Sequence, residues 1–232
     1  MKVFAISDLH LSTVVDKPMD VFGEKWKNYF DIVKQDWAEK VSDDDIVLLA
    51  GDFSWAMRME EVLPDFALFK DFKGKKVIVR GNHDYWWNTI SKVRAQIPQD
   101  FFAIQNDCLR FDNLLVFGTR GWVVPEGCNQ SEEDKKIYLR EIERLKLALT
   151  DLNKKRTPSD KVICMMHYPP FNGRREESDF TKLLVANDVN TVVYGHLHGK
   201  DCRADRIVKK FGIDFYLTSA DIVDFKLTEI PI

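Results

Sequence analysis

Short apolar runs rich in β-branched residues alternate along the chain with longer stretches whose apolar residues return every three or four positions. The runs at 3–7, 46–50, 77–80, 114–118, 162–166, 191–194 and 215–218 have strand length and little polar alternation, which predicts strands buried on both faces. Between them, Trp26, Phe30, Val33, Trp37 and Val41 fall on one helical face, as do Val62, Phe66 and Phe69, and then Trp86, Ile90, Val93 and Ile97. The longest helical stretch opens on Ser131-Glu132-Glu133-Asp134, a variant of the capping box, and aligns Tyr138, Ile142, Leu145, Leu149 and Leu152. Phe180, Leu183 and Leu184 predict one further helix. Strands alternating with helices predict an α/β fold with largely parallel pairing, and the closer strand spacing in the last third predicts some antiparallel pairs. Residues 105–130 break the pattern at Gly118, Gly121, Pro125 and Gly127 and predict loops.

The 232 residues fit one large domain better than two small ones, so a single domain over 1–232 is expected. Hydrophobic residues make up 45% and charged residues 31%, which excludes a disordered or fibrous chain. A net charge of −3 argues against nucleic acid or an anionic membrane as the partner of the whole surface and leaves only a local basic groove open. No apolar run approaches the ~18 residues of a spanning helix. Lys2–Ser7 runs straight into Asp8 and His10, unlike a signal peptide, and reads as a mature start. Cys108, Cys128, Cys164 and Cys202 are widely spaced and form no C-x-x-C pair, so neither a disulfide framework nor a zinc finger is expected. Reduced thiols and a cytoplasmic location follow as the expectation.

The candidate chemistry sits where the strands end. Asp8-Leu9-His10 follows the first run, Gly51-Asp52 the second, Gly81-Asn82-His83-Asp84 the third, His167 the fifth and Gly195-His196-Leu197-His198 the sixth. Ligands of open α/β sheets bind beyond the carboxyl ends of the strands, so neighbouring strands would bring these segments to one crevice. Carboxylate, amide and imidazole donors without thiolate suit divalent ions of the Mn, Fe or Zn kind at a catalytic site rather than a structural cysteine site. Glycines directly before the ligands permit positive φ or close backbone approach.

Taken in order, D-x-H, G-D, G-N-H-D, an isolated His and G-H-x-H resemble the five blocks of the calcineurin-like metallophosphoesterases, and they span Asp8 to His198. The resemblance implies a four-layer α/β sandwich with two mixed β-sheets flanked by helices, and a centre of two divalent metal ions. Manganese is the first expectation, with Fe, Zn, Co, Ni or Mg as alternatives. Carried over by position, Asp8, His10, Asp52 and His198 would hold one ion and Asp52, Asn82, His167 and His196 the other, with Asp52 bridging. The implied reaction is hydrolysis of a phosphate mono- or diester by a hydroxide between the ions, with His83 protonating the leaving oxygen. A small-molecule ester is the expected substrate.

The chain departs from the Ser/Thr protein phosphatase branch, whose second block continues Gly-Asp-Tyr-Val-Asp-Arg-Gly. Here Trp55 stands in place of the second Asp and Ala56 in place of the Arg. Protein phosphatase activity is therefore not expected, and His83 needs another orienting partner. Two roles are open to Asp84: orienting His83, or capping a helix that begins near Tyr85. Arg120, Arg174 and Arg175 follow strand ends and could replace the missing phosphate-binding Arg; pairing with surface carboxylates is the alternative. Trp26, Trp37 and Trp86 are expected in the core, and Tyr85 and Trp87 at the crevice. A nuclease of the same family would show a basic stripe with stacking aromatics, which is not visible. A member that has lost catalysis and binds proteins would show eroded ligands, and none is eroded.

Overall fold

The structure, a computed structural model, describes residues 1–127 and 131–232. Side-chain alternation along the strands divides the core into three apolar layers. On β1 (Val3–Ile6), β2 (Ile46–Leu49) and β3 (Lys75–Val79), Val3, Ala5, Ile46, Leu48 and Val77 face a second sheet. Phe4, Ile6, Val47, Leu49 and Ile78 face helices α1 (Tyr29–Lys40), α2 (Met59–Ala67) and α3 (Ile90–Gln96). The second sheet does the same: Leu114, Val116, Ile163 and Met165 meet the first sheet, whereas Leu115, Phe117, Cys164 and Met166 meet α4 (Glu132–Lys155) and α5 (Asp179–Ala186). The result is the four-layer α/β sandwich, helices outside and two mixed sheets inside.

The first sheet has five strands in the order β11-β1-β2-β3-β4, with β4 at Phe101–Ile104 and β11 at Thr228–Ile230; only β11 runs antiparallel to its neighbour. The second has six, β5-β6-β7-β8-β10-β9, comprising β5 (Cys108–Phe111), β6 (Leu114–Thr119), β7 (Lys161–Met166), β8 (Thr191–Tyr194), β9 (Ile207–Lys210) and β10 (Ile213–Leu217). Its outer strands β5 and β9 are antiparallel and the rest parallel. A bridge between Ser7 and Ser219 joins the ends of β1 and β10, so the carboxyl ends of both sheets meet at one rim.

All seven predicted runs are strands. Four strands were not predicted: β4, β5, β9 and β11 lie at sheet edges and are three or four residues long. The β5–β6 hairpin corrects the loop expectation for the start of 105–130; its turn places Asp112 at φ 50°. Residues 128–130, part of that stretch and including Cys128, lie outside the described residues. Helix α3 starts at Ile90, later than Trp86 implied. Ser131 caps α4 through its Oγ, which accepts from the Asp134 N–H. Among the described residues no helix is long and apolar enough to cross a membrane, and Cys108, Cys164 and Cys202 are unpaired.

Candidate metal centre

Each block named in the sequence sits just past the carboxyl end of its strand: Asp8 and His10 after β1, Asp52 after β2, Asn82 and His83 after β3, His167 after β7, His196 and His198 after β8. Because β1, β2 and β3 are parallel neighbours, as are β7 and β8, these ends converge across the rim where the sheets meet. Asp8, His10, Asp52 and His196 all adopt positive φ, between 49° and 69°. L-residues avoid that region, at a cost of roughly 1–3 kcal/mol each. Such conformations persist where the surroundings over-determine them, and here they turn the side chains out of the pleat toward one another.

The donor atoms form two adjoining groups. Asp8, His10 and His198 offer atoms within 4.8 Å of one another, and His10 Nε2 lies 3.4 Å from His198 Nε2. Asn82 Oδ1 lies 2.8 Å from His167 Nε2 and 2.9 Å from His196 Nδ1. Asp52 stands between the groups. Its Oδ1 accepts the His83 N–H at 2.8 Å, whereas its buried Oδ2 has no hydrogen-bond partner and faces His167 Nε2 at 3.4 Å and His10 Nε2 at 3.8 Å. His167 Nδ1 donates to the Ala50 carbonyl at 3.0 Å, which fixes the tautomer and aims Nε2 at Asn82 and Asp52. Imidazole nitrogens, the Asn82 carbonyl oxygen and carboxylate oxygens thus crowd shared positions. That orphaned Oδ2 and the imidazoles around it fit divalent cations.

Burial and mutual attraction set the charge states of these groups, and a cation entering the site would displace the His167 proton. Burial alone would raise the Asp52 carboxyl and lower the His167 imidazole, but their mutual attraction overcomes both, holding Asp52 well below the carboxylate range and pushing His167 up to about 9. Burial prevails at His10 and His196, both lowered to about 3, which leaves them in the neutral form that binds metal. Burial likewise raises Asp8, which accepts from Ser7 Oγ at 2.6 Å and from the His196 N–H at 3.0 Å.

Glycine at two of the block positions is a matter of space rather than φ. A Cβ on Gly81 would collide with the Asp52 side chain and amide nitrogen, and one on Gly195 with the Asp8 carboxylate. Gly51 combines both demands, with φ +92° and the His167 ring 2.6 Å from where its Cβ would stand.

Asp84 takes neither of its expected roles. It is fully buried, and no helix begins at Tyr85. Its Oδ2 accepts from the N–H groups of Asp52 and Gly81, and its Oδ1 from those of Phe53 and Ser54 and from the Trp86 indole. It binds the second block to the third. Its spacing from Asp52 gave no local signal, because the contact spans thirty-two residues. His83 is half-buried at the crevice, its Nδ1 is buried without a partner, and burial lowers its pKa. Trp86 is in the core as expected, and so is Trp87, which corrects its placement at the crevice; Tyr85 is half exposed, its ring 6.2 Å from that of His83.

Two of the three arginines are engaged by carboxylates at the surface. Arg174 pairs with Glu126 at 2.7 Å and Arg175 with Asp205 at 2.6 Å, both at the surface. The Arg120 guanidinium lies over the Trp122 ring and 3.5 Å from Glu141, while its carbonyl accepts the N–H groups of His167 and Tyr168. Beside His196, a cleft of about 410 Å³ is lined by Val124, Tyr168, Phe171 and Leu197 with Glu126 and Asp134. A hollow of about 480 Å³ near Lys161 and Thr191, at the opposite ends of the strands, contains none of the metal-binding groups.

Residues 1–200 match the calcineurin-like phosphoesterase family, and the chain belongs to it. No curated protein matches. Among solved structures, the chain is similar to TT1561 of Thermus thermophilus, with 14% identity over 98% of this chain and 97% of that one and a TM-score of 0.61. It is similar also to phosphopantetheinyl hydrolase from Mycobacterium tuberculosis, with 16% identity, coverage of 99% and 95% and a TM-score of 0.59. A third likeness is the protein of unknown function AQ665 from Aquifex aeolicus, with 13% identity, coverage of 98% and 95% and a TM-score of 0.52. At these identities the likeness shows the fold.

Proposed function

We propose that the chain, acting as a single domain in the cytoplasm, is a metal-dependent phosphohydrolase that cleaves a small phosphate mono- or diester. The observation that supports this most is the unpartnered, buried Asp52 Oδ2, set between the His10 and His167 nitrogens within a complete set of donors. Asp8, His10, Asp52 and His198 would hold one divalent ion, and Asp52, Asn82, His167 and His196 the other, with manganese as the first choice for both. Such ions supply Lewis acidity to the phosphoryl group and make water acidic enough to attack near neutral pH.

The protein's own part is to hold these donors in place and to handle a proton. His167 is kept in one tautomer by Ala50, and Asp8 is kept in place by Ser7 and the His196 backbone. His83, at the edge of the centre with Nδ1 free of any partner, would give a proton to the leaving oxygen. The cleft beside His196 has the size of a small leaving group, and its mixed apolar and acidic lining favours an uncharged or cationic one. Arg120 stays a candidate phosphate contact; the proposal does not require Arg174 or Arg175, whose guanidiniums are engaged by surface carboxylates.

A panel of p-nitrophenyl phosphate, bis-p-nitrophenyl phosphate, cyclic nucleotides and single-stranded DNA, assayed on manganese-loaded protein, tests the reading. Turnover of a small ester that is abolished by chelation and restored by manganese is expected. No turnover of any member by fully loaded protein would contradict it, and turnover of DNA alone would make the chain a nuclease.

A further inference from the structure

Two imidazoles of the centre lack the hydrogen bond that usually fixes a functional histidine. A metal-binding His ordinarily donates its second ring nitrogen to a carbonyl or carboxylate, which sets its tautomer and ring plane. His167 does so through Ala50. The Nδ1 atoms of His10 and His83 are buried with no partner. Both rings instead pack on the same side chain. Trp55 is stacked on His10, with centroids 4.6 Å apart and planes 19° from parallel, and lies 4.4 Å from His83 at 54°. The two imidazoles stand 5.5 Å from each other, edge to face.

Trp55 is itself held at several points. Its backbone N–H donates to the Leu11 carbonyl at 2.9 Å, next to the bridge between Leu11 and Ser54. Its indole N–H donates to the sulfur of buried Met19 at 3.3 Å, and Lys17 Nζ lies 4.7 Å from the ring centroid. An indole pinned at backbone, ring nitrogen and face is a rigid plane against which two other rings can be aligned.

We propose that Trp55 is the positioning residue of the centre: its indole face sets the planes of His10 and His83 together, in place of the missing hydrogen bonds. The inference rests on the metal-centre reading above. Stacking fixes a ring plane without engaging either nitrogen, so His10 Nε2 stays aimed at Asp52 and His198 while His83 remains free to carry a proton on either nitrogen. A side chain that merely filled space would be replaceable by any apolar group of similar bulk; a positioning plane needs an aromatic face.

The test compares Trp55→Phe, which keeps a flat face, with Trp55→Leu and Trp55→Met, which keep apolar bulk without one. Manganese affinity is measured by competition with a fluorescent chelator, thermal melting confirms folding, and kcat and KM are measured on an alkyl phosphate. The leucine and methionine variants should bind manganese about 10–100-fold more weakly, the usual effect of removing a group that orients a metal ligand. Their kcat should fall at least about tenfold with KM little changed, since Trp55 is argued to act through the two histidines. The phenylalanine variant should recover most of both losses. Folded leucine or methionine variants that bind manganese like the parent would overturn the inference, as would a phenylalanine variant as impaired as the other two. If the parent binds manganese but hydrolyses nothing, the affinity series still decides for or against Trp55. If the parent binds no manganese, the metal-centre reading falls and this inference with it.

Discussion

The Asp84 carboxylate accepts the backbone N–H of Asp52 at 3.0 Å, so one buried acid fixes the chain where another presents its side chain. Three further backbone donors and an indole converge on the same group. Burial raises its pKa to about 6, and the donors need it ionised.

Asp84→Asn therefore turns one acceptor oxygen into an NH2 group facing N–H donors. Leaving a buried donor unsatisfied costs about 1–3 kcal/mol, and in a chain of this size each kcal/mol lowers Tm by about 2–4 °C. The expected variant melts several degrees lower and retains metal less well, since the Asp52 backbone is no longer held. Calorimetry and metal analysis check both; an unchanged Tm would remove Asp84 from this role.

His83→Ala should keep its metals and lose about 10²–10⁴-fold in turnover on esters with poor leaving groups. On nitrophenyl esters the loss should be small, because that leaving group barely needs a proton. Donation requires the protonated ring, and burial lowers its pKa. For poor leaving groups, kcat/KM of the parent should accordingly fall as pH rises through a value below ~6.5, the ordinary imidazole pKa, and His83→Ala should lack that fall. Equal losses on both substrate types would give His83 a different role.

The Arg174→Ala, Arg175→Ala double variant tests two surface ion pairs. Exposed pairs contribute about 0–1 kcal/mol, so stability should change little. Their engagement with Glu126 and Asp205 leads us to expect kcat/KM within about twofold of the parent, under ~1 kcal/mol of transition-state stabilisation. A larger fall with metal content intact would return one of them to the substrate.

Burial pushes the Cys108 thiol up to about 12 and raises Cys164 as well. Well below its pKa a thiol is almost wholly protonated, so even at pH 9 both residues should stay largely unreactive toward alkylation in the folded protein. Mass spectrometry after native labelling should find both largely unmodified until denaturant is added; extensive labelling of Cys108 in folded protein at pH 9, comparable to that in denaturant, would contradict its burial.

The gathering of Asp8, His10, Asp52, Asn82, His83, His167, His196 and His198 was legible in the sequence because each lies within four residues of a short apolar run, and parallel strands bring such ends together. The edge strands were not: β9 reads Ile-Val-Lys-Lys with one buried residue, and β11 is three residues long, so neither produces an apolar run. The positive φ of Asp8, His10, Asp52 and His196 was hidden for a different reason, since no glycine marks it and the conformation is imposed by packing. Trp55 and Asp84 act across 28 to 45 residues of chain, on His83 and His10 and on Asp52 to Ser54, and only the folded sheets bring them into contact.

The metal content of the chain after reconstitution with manganese, measured by elemental analysis beside Asp52→Asn and Asn82→Ala, tests the centre most directly. The parent should hold close to two ions per chain, and Asp52→Asn should lose more than Asn82→Ala because it removes the carboxylate oxygen that faces both His10 and His167. Failure of the parent to bind manganese or any other transition metal, or equal retention in the two variants, would contradict a centre built around Asp52.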